Sequence, residues 1–292
     1  MNNTLSAFGY PGGKVRSIRY IVPYFPTGFS EFREIFAGGA SMSLQLMRRH
    51  PKAKFWINDL HYPVYCFWKM LRERPEDMSE YLLSAYDTFQ KDLTGLYEAC
   101  RTTIDSSNEF ETACKFYIGQ KLGFSGMGLD STCSTRNVGK FTPRSIHSLF
   151  DISTLLKCRD VSITNLSYEQ CLVPGENVLI FADPPYDIKR FLYGKKGSLH
   201  SGFSHLEFAN TMRGCSNNWL ITYNDNEQIR RMFADFNIFP WRVQYTMQNR
   251  NVGNELIITN YEKIKCGKQI EPHFPNRGCT RATLDTPYGL VN

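Results

Sequence analysis

Short apolar runs punctuated by glycine, proline and polar clusters organise this chain. Residues 31–36 are strand-like and open onto Ala37-Gly38-Gly39-Ala40-Ser41, after which Met42, Leu44, Leu46 and Met47 recur at helical spacing. Residues 54–59 read as a second strand ending in an acid, and residues 64–74 as the helix behind it. The strand pattern returns at 161–166, 177–182 and 219–223 and closes at 255–261. Buried strands alternating with helices predict an α/β fold, a mostly parallel sheet covered by helices on both faces.

Residues 75–150 interrupt that alternation. Helical patterns at 78–86 and 110–121 give way to a stretch rich in Gly, Ser, Thr and Asn at 123–139, which predicts loops or a β-hairpin. The expected organisation is a catalytic domain in two parts, 1–74 and 151–265, split by an insertion at 75–150. A surface-hugging or mobile tail follows at 266–292, where the pattern lapses into Pro, Gly and polar residues.

Composition narrows the class. At 292 residues with 42% hydrophobic and 21% charged positions, the chain is long enough and apolar enough to bury a full core without staples. Residues 1–13 lack the pattern of a signal peptide and no apolar run approaches a membrane span, so a soluble cytoplasmic protein is expected, with no membrane partner. Nine dispersed cysteines, with no Cys-x-x-Cys pair and no histidine at zinc spacing, predict reduced thiols and no metal. The net charge of +6 is unevenly spread: Glu73, Glu76, Asp77, Glu80, Asp87, Asp92, Glu98, Asp105, Glu109 and Glu111 make one stretch acidic. The next, through Lys115, Lys121, Arg136, Lys140 and Arg144, has Asp130 as its only acid, which suits a DNA-facing surface.

The most specific chemical signal is Asp183-Pro184-Pro185-Tyr186, directly after an apolar strand. Ligands of open α/β sheets gather beyond the carboxyl ends of strands, and two prolines there leave a carboxylate, an unpaired carbonyl and an aromatic face. These suit a planar base with an exocyclic amine: Asp183 and the Pro184 carbonyl each accept one amine hydrogen, and Tyr186 stacks on the ring. An ordinary Asp-Pro-Pro turn is the other reading of the tetrad taken alone. The glycine turn after residues 31–36 and Asp59 at the end of the next strand form a second constellation, which points to an adenosine cofactor or to a plain turn and a solvated acid. Phe8-Gly9-Tyr10-Pro11-Gly12-Gly13-Lys14 lacks the spacing of an ATP phosphate loop, and is either an N-terminal turn or a cover over the methionine end of a cofactor.

Taken in order, Tyr10-Pro-Gly-Gly-Lys14, Phe36-Ala-Gly-Gly39, Asn58-Asp59, Leu166-Ser-Tyr168, Asp183-Pro-Pro-Tyr186 and Asn254-Glu-Leu256 resemble the DNA adenine methylase (Dam) family, the D12 class of N6-adenine methyltransferases. The resemblance covers roughly residues 5–262. It implies a Rossmann-like S-adenosylmethionine-dependent sheet with an inserted, mainly helical target-recognition domain carrying a β-hairpin. The donor is S-adenosyl-L-methionine, without metal, and the substrate is adenine in double-stranded DNA; the oligomeric state stays open. Cofactor contacts are implied at Tyr10, Lys14, Phe36, Gly38, Asp59, Tyr168 and Asp183, and catalytic roles at Asp183, Pro184 and Tyr186. A base in a duplex must be flipped to reach such a site, with Phe124 the candidate wedge, or else an aromatic packed on its own domain. Arg136, Lys140 and Arg144 are candidates for phosphate contacts.

The resemblance has a gap. Relatives specific for GATC follow an aromatic residue with Asn-Gly-Leu-x-Arg, whereas this chain reads Phe124-Ser-Gly-Met-Gly-Leu129, with Leu129 in place of the arginine. Recognition of GATC is therefore not implied. None of the cysteines lies in a Pro-Cys setting, which argues against cytosine C5 chemistry. Two rival functions stand beside adenine methylation: transfer to another amine, such as an RNA adenine or cytosine N4, and a silent DNA-binding module of the same fold.

Overall fold

The computed structural model describes residues 5–102, 108–134, 136–186, 202–244 and 252–262, so the expected tail at 266–292 lies outside the described residues. Seven strands form one sheet: β1 (Glu31–Glu34), β2 (Lys54–Asn58), β3 (Val161–Thr164), β4 (Val178–Ala182), β5 (Asn218–Asn224), β6 (Asn237–Gln244) and β7 (Val252–Thr259). Their spatial order is β3-β2-β1-β4-β5-β7-β6. The first five run parallel, and β7 lies antiparallel to both β5 and β6.

This is the expected Rossmann-like α/β sheet, buried on both faces. All five residues of β4 are buried: Leu179 and Phe181 point into one apolar cluster, Val178, Ile180 and Ala182 into the other. The first face is covered by α2 (Ser41–Arg49) and α3 (Tyr62–Glu73), the second by α9 (His205–Arg213) and α10 (Glu227–Met232). Helix α3 shows why its sequence folds so: Val64, Phe67, Trp68 and Leu71 fall on one stripe and are fully buried. Each such side chain contributes about 1.5–3 kcal/mol by leaving water.

The helices between β2 and β3 build on α3. They are α4 (Pro75–Phe89), α5 (Leu93–Thr102), α6 (Glu109–Leu122), α7 (Pro143–His147) and α8 (Leu149–Lys157), following the short α1 (Ile18–Ile21) near the start of the chain. Helix α6 is buried nearly all round, and Met78, Leu96, Ile118 and Phe141 join the same apolar cluster as the sheet residues Phe32 and Phe55.

One expectation is corrected. No β-hairpin forms among the described residues of 123–139. The loop is pinched by one isolated antiparallel bridge, Gly123 with Cys133, and otherwise coils through 3-10 turns at Phe124–Gly126, Gly128–Asp130 and Val138–Lys140. Left-handed backbone at Ser125, Gly126 and Gly128 breaks the extended run a ladder needs. Phe124 accordingly sits beside that bridge, at the mouth of the loop rather than at a hairpin tip. Strand β6 also escaped the sequence pattern, because Asn237–Gln244 mixes polar residues with Pro240; only a sheet edge tolerates that proline, and β6 is the edge.

The strand order reverses between β1 and β4, and the crevice beyond their carboxyl ends is where such sheets bind ligands. Glu34, the last residue of β1, is buried there and serves as the cap that α2 otherwise lacks: its carboxylate accepts from Ser43 N at 2.8 Å and Met42 N at 3.4 Å. Burial pushes its carboxyl up to about 7, with Asp183 adding to the rise, against the pull of the Ser43 and Met42 hydrogen bonds. The folded protein therefore holds a proton that the unfolded chain releases at lower pH, and this group's stabilising share is lost as pH climbs through 7. Glu34→Gln should flatten the fall in unfolding midpoint between pH 5 and pH 8, a difference readable in thermal melts across that range.

Candidate active site

The turn after β1 is held from every side. Ala37 N donates to Asn58 O at 2.9 Å, and Gly38 N donates to Asp59 Oδ2 at 2.7 Å. The Gly38 carbonyl accepts from Trp68 Nε1 at 2.9 Å. Gly38 has a φ of 45°, and a β-carbon there would lie 2.6 Å from the Tyr10 ring, so only glycine permits the ring to rest on it. The other Asp59 oxygen accepts from His61 N at 2.8 Å. Burial pushes the Asp59 carboxyl up to about 6, partly offset by those two backbone donors.

Asn58 fixes the position of Asp59. Its side-chain nitrogen donates to the carbonyls of Ile35 and Leu166, and its oxygen accepts from Thr164 Oγ1 and Leu166 N. A single amide thus ties together the ends of β1, β2 and β3.

Tyr10-Pro11-Gly12-Gly13 is a turn closed by Gly13 N to Tyr10 O at 3.0 Å, with Gly12 at a φ of 73°. It delivers Lys14 to the end of β4. Lys14 is 4% exposed; its Nζ donates to Asp183 Oδ2 at 2.7 Å and to Gly12 O at 2.9 Å. Burial lowers the affinity of this amine for its proton, but the carboxylates of Asp183 and Glu255 outweigh that and raise its pKa above the ordinary value. The second Asp183 oxygen accepts from Thr222 Oγ1 at 2.7 Å. Removing one partner of such a pair strands the other charge and costs roughly 3–5 kcal/mol.

Tyr186 lies within the same cluster of contacts. The Lys14 ammonium stands 4.9 Å from its ring centroid, and the Tyr223 ring lies 5.9 Å away, tilted by 32°. A second aromatic wall joins Phe36 to Tyr168 at 5.6 Å and both to Phe208, at 5.8 and 5.1 Å. Burial pushes the Tyr168 phenol up to about 12, so it stays neutral.

The structure therefore brings Tyr10, Lys14, Phe36, Gly38, Asp59, Tyr168, Asp183, Pro184 and Tyr186 to one edge of the sheet. The other predicted group is placed in the helical layer. Phe124 is 53% exposed, and Arg136, Lys140 and Arg144 are all exposed, with Lys140 donating to Asn137. The loop of Phe124 touches the Tyr10 turn, since a β-carbon on Gly126 would fall 2.7 Å from Gly9 O.

A family model for the D12 class N6 adenine-specific DNA methyltransferases matches residues 10–247. The chain belongs to this family. It is 22% identical to Modification methylase StsI of Streptococcus sanguinis over 205 residues, which cover 66% of this chain and 30% of that protein. The chain thus spans less than a third of that relative's length. With Type II methyltransferase M.CviBI of Paramecium bursaria Chlorella virus NC1A it is 20% identical over 266 residues, 86% of this chain and 98% of that protein. Among solved structures, a precorrin-6y C5,15-methyltransferase from Geobacter metallireducens GS-15 aligns over 85% of this chain and 87% of its own at 9% identity and a TM-score of 0.36.

Within this D12-class fold, the sequence pattern passes over Glu34, which reads as one more strand residue. A charged residue inside a strand pattern was the available signal for Glu34. No group of three or more potential metal ligands occurs among the described residues, whose seven cysteines are free thiols. No described helix is long and apolar enough to cross a membrane. Gly38→Ala should displace Tyr10 and strain the turn, lowering stability by about 1–3 kcal/mol. Chemical denaturation compared with Gly139→Ala, where a β-carbon meets open space, checks this.

Proposed function

We propose that this D12-class protein is a site-specific DNA methyltransferase that moves a methyl group from S-adenosyl-L-methionine to N6 of an adenine flipped out of double-stranded DNA. The observation that carries this reading is the Asp183 carboxylate, held rigidly between Lys14 and Thr222 beside the Tyr186 ring, at the reversal point of the sheet.

The site suits the cofactor on its own chemistry. Asp59 offers a carboxylate to ribose hydroxyls, Gly38 offers backbone with no side chain, and Phe36 and Tyr168 offer an apolar wall to a purine. Asp183 and Glu255 both act on a single buried ammonium, Lys14, and Glu34 stands in electrostatic reach of Asp183, so the negative charge of the crevice favours a sulfonium. When bound, S-adenosylmethionine supplies an electrophilic methyl group. Tyr10 and Lys14 cover the methionine end.

An adenine amine is a weak nucleophile because its lone pair is delocalised into the ring. Asp183 and the Pro184 carbonyl accept its two hydrogens, draw the lone pair out of conjugation and stabilise the positive charge that grows on nitrogen. Tyr186 fixes the plane of the base by stacking. The carboxylate keeps lone pairs for the amine even while it accepts from Lys14 and Thr222.

Residues 75–150 serve as the target-recognition insertion, with Phe124 filling the vacated stack and Arg136, Lys140 and Arg144 tracking phosphates. Leu129 is buried against Gly119 of α6, so the position that carries the guanine-reading arginine of GATC enzymes belongs to the core here. That supports a recognition sequence other than GATC. The protein acts in the cytoplasm of a bacterium, encoded by the host or by a phage.

Long-read sequencing of DNA from cells expressing the protein should show N6-methyladenine in one sequence context. Asp183→Asn should lose about 100-fold or more of the methylation rate, measured at saturating S-adenosylmethionine on protein whose folding is checked by thermal melts. Full activity in that variant overturns the assignment.

A further inference from the structure

We propose that His205 and Tyr223 are positioning residues that lock the platform on which the target base stacks, a role that rests on the adenine-methylating function proposed above. Strand β5 alternates across the sheet: Thr222 reaches Asp183, and Tyr223 turns to the opposite face, where its ring lies beside Tyr186. Tyr223 is fully buried, and its phenol oxygen is 2.7 Å from His205 Nδ1. Packing holds the plane of this buried ring, and a hydrogen bond at its tip fixes where the whole side chain leans.

His205 is held firmly in turn. It is the first residue of α9, whose N-terminus is capped by Ser204 accepting from Glu207 N at 3.3 Å. Its ring packs edge-on against Phe203 at 5.2 Å, and Phe203 lies 5.8 Å from Phe36 and 6.0 Å from Tyr168. Phe208, one helical turn on, touches Phe36, Tyr168 and Tyr223. One imidazole therefore stands where the wall assigned to the cofactor meets the wall assigned to the target base.

The physical need for such a lock is angular. Tyr186 is the last residue of a short corner, and stacking that leads to transfer demands a base plane held within about 10–20°. Tyr223 is its buried neighbour, so freedom in Tyr223 becomes freedom in the platform. Cofactor binding rests chiefly on Asp59 and Gly38, held by bonds of their own to each other and to His61 and Trp68, and should change little.

The test is a double-mutant cycle on Tyr223→Phe and His205→Leu, with His205→Asn as the conservative variant whose amide can still meet the phenol. Methyl incorporation into unmethylated genomic DNA is measured while DNA and S-adenosylmethionine are varied separately, and thermal melts check folding. Each single variant should lose about tenfold in kcat, the typical penalty for loosened alignment, with KM for the cofactor within twofold. The double variant should be no worse than either single one, and His205→Asn should recover most of the rate. Additive losses, or single variants within twofold of the wild type, overturn the proposal. If His205→Leu fails to fold, Tyr223→Phe decides alone. If the wild-type protein forms no N6-methyladenine, the reading of the site itself falls and this role falls with it; normal wild-type activity with indifferent variants removes the positioning role only.

Discussion

A buried ammonium bound to a half-buried carboxylate, Lys14 to Asp183, joins two segments 169 residues apart at the reversal point of the sheet. Burying two charges is costly unless they find each other and further partners. Here Gly12 O and Thr222 Oγ1 supply the extra hydrogen bonds. The N-terminal turn must therefore lie across the end of β4, and its Tyr10 must lie on Gly38. The geometry of both halves of the site follows from where that one pair closes.

The pair also sets the electrostatics of the crevice. Asp183 neutralises Lys14, the buried Glu255 also acts on that ammonium, and the buried Glu34 feels the charge of Asp183. Glu34 relieves its burden by capping α2 and by keeping a proton to about neutral pH. An arriving cation relieves it further, because positive charge nearby favours the ionised form.

The helical layer reaches the same crevice. Gly126 lies against Gly9, one residue before Tyr10, so the loop carrying Phe124 and the turn carrying Lys14 are in direct contact. Leu129 packs on Gly119 of α6, so this loop is anchored to the helical layer by its own apolar side chain.

The sequence by itself determined the parallel half of the sheet, because continuous apolar runs such as 178–182 have no other home than a strand buried on both faces. It also determined which residues meet at the edge, since Asp183-Pro-Pro-Tyr186, the glycine turn and Asp59 each follow a strand whose end position the fold class dictates. Only tertiary structure decided the rest. The role of Glu34 depends on which helix start it faces, and the bond between His205 and Tyr223 joins elements whose register no local pattern encodes. The 123–139 loop coils instead of pairing because its left-handed residues act in concert with the buried wall of α6, and β6 tolerates a proline because it lies at an edge. Periodicity reports which side of an element is apolar; which neighbour that side meets is set by long-range packing, and the finer roles in this site are all of that second kind.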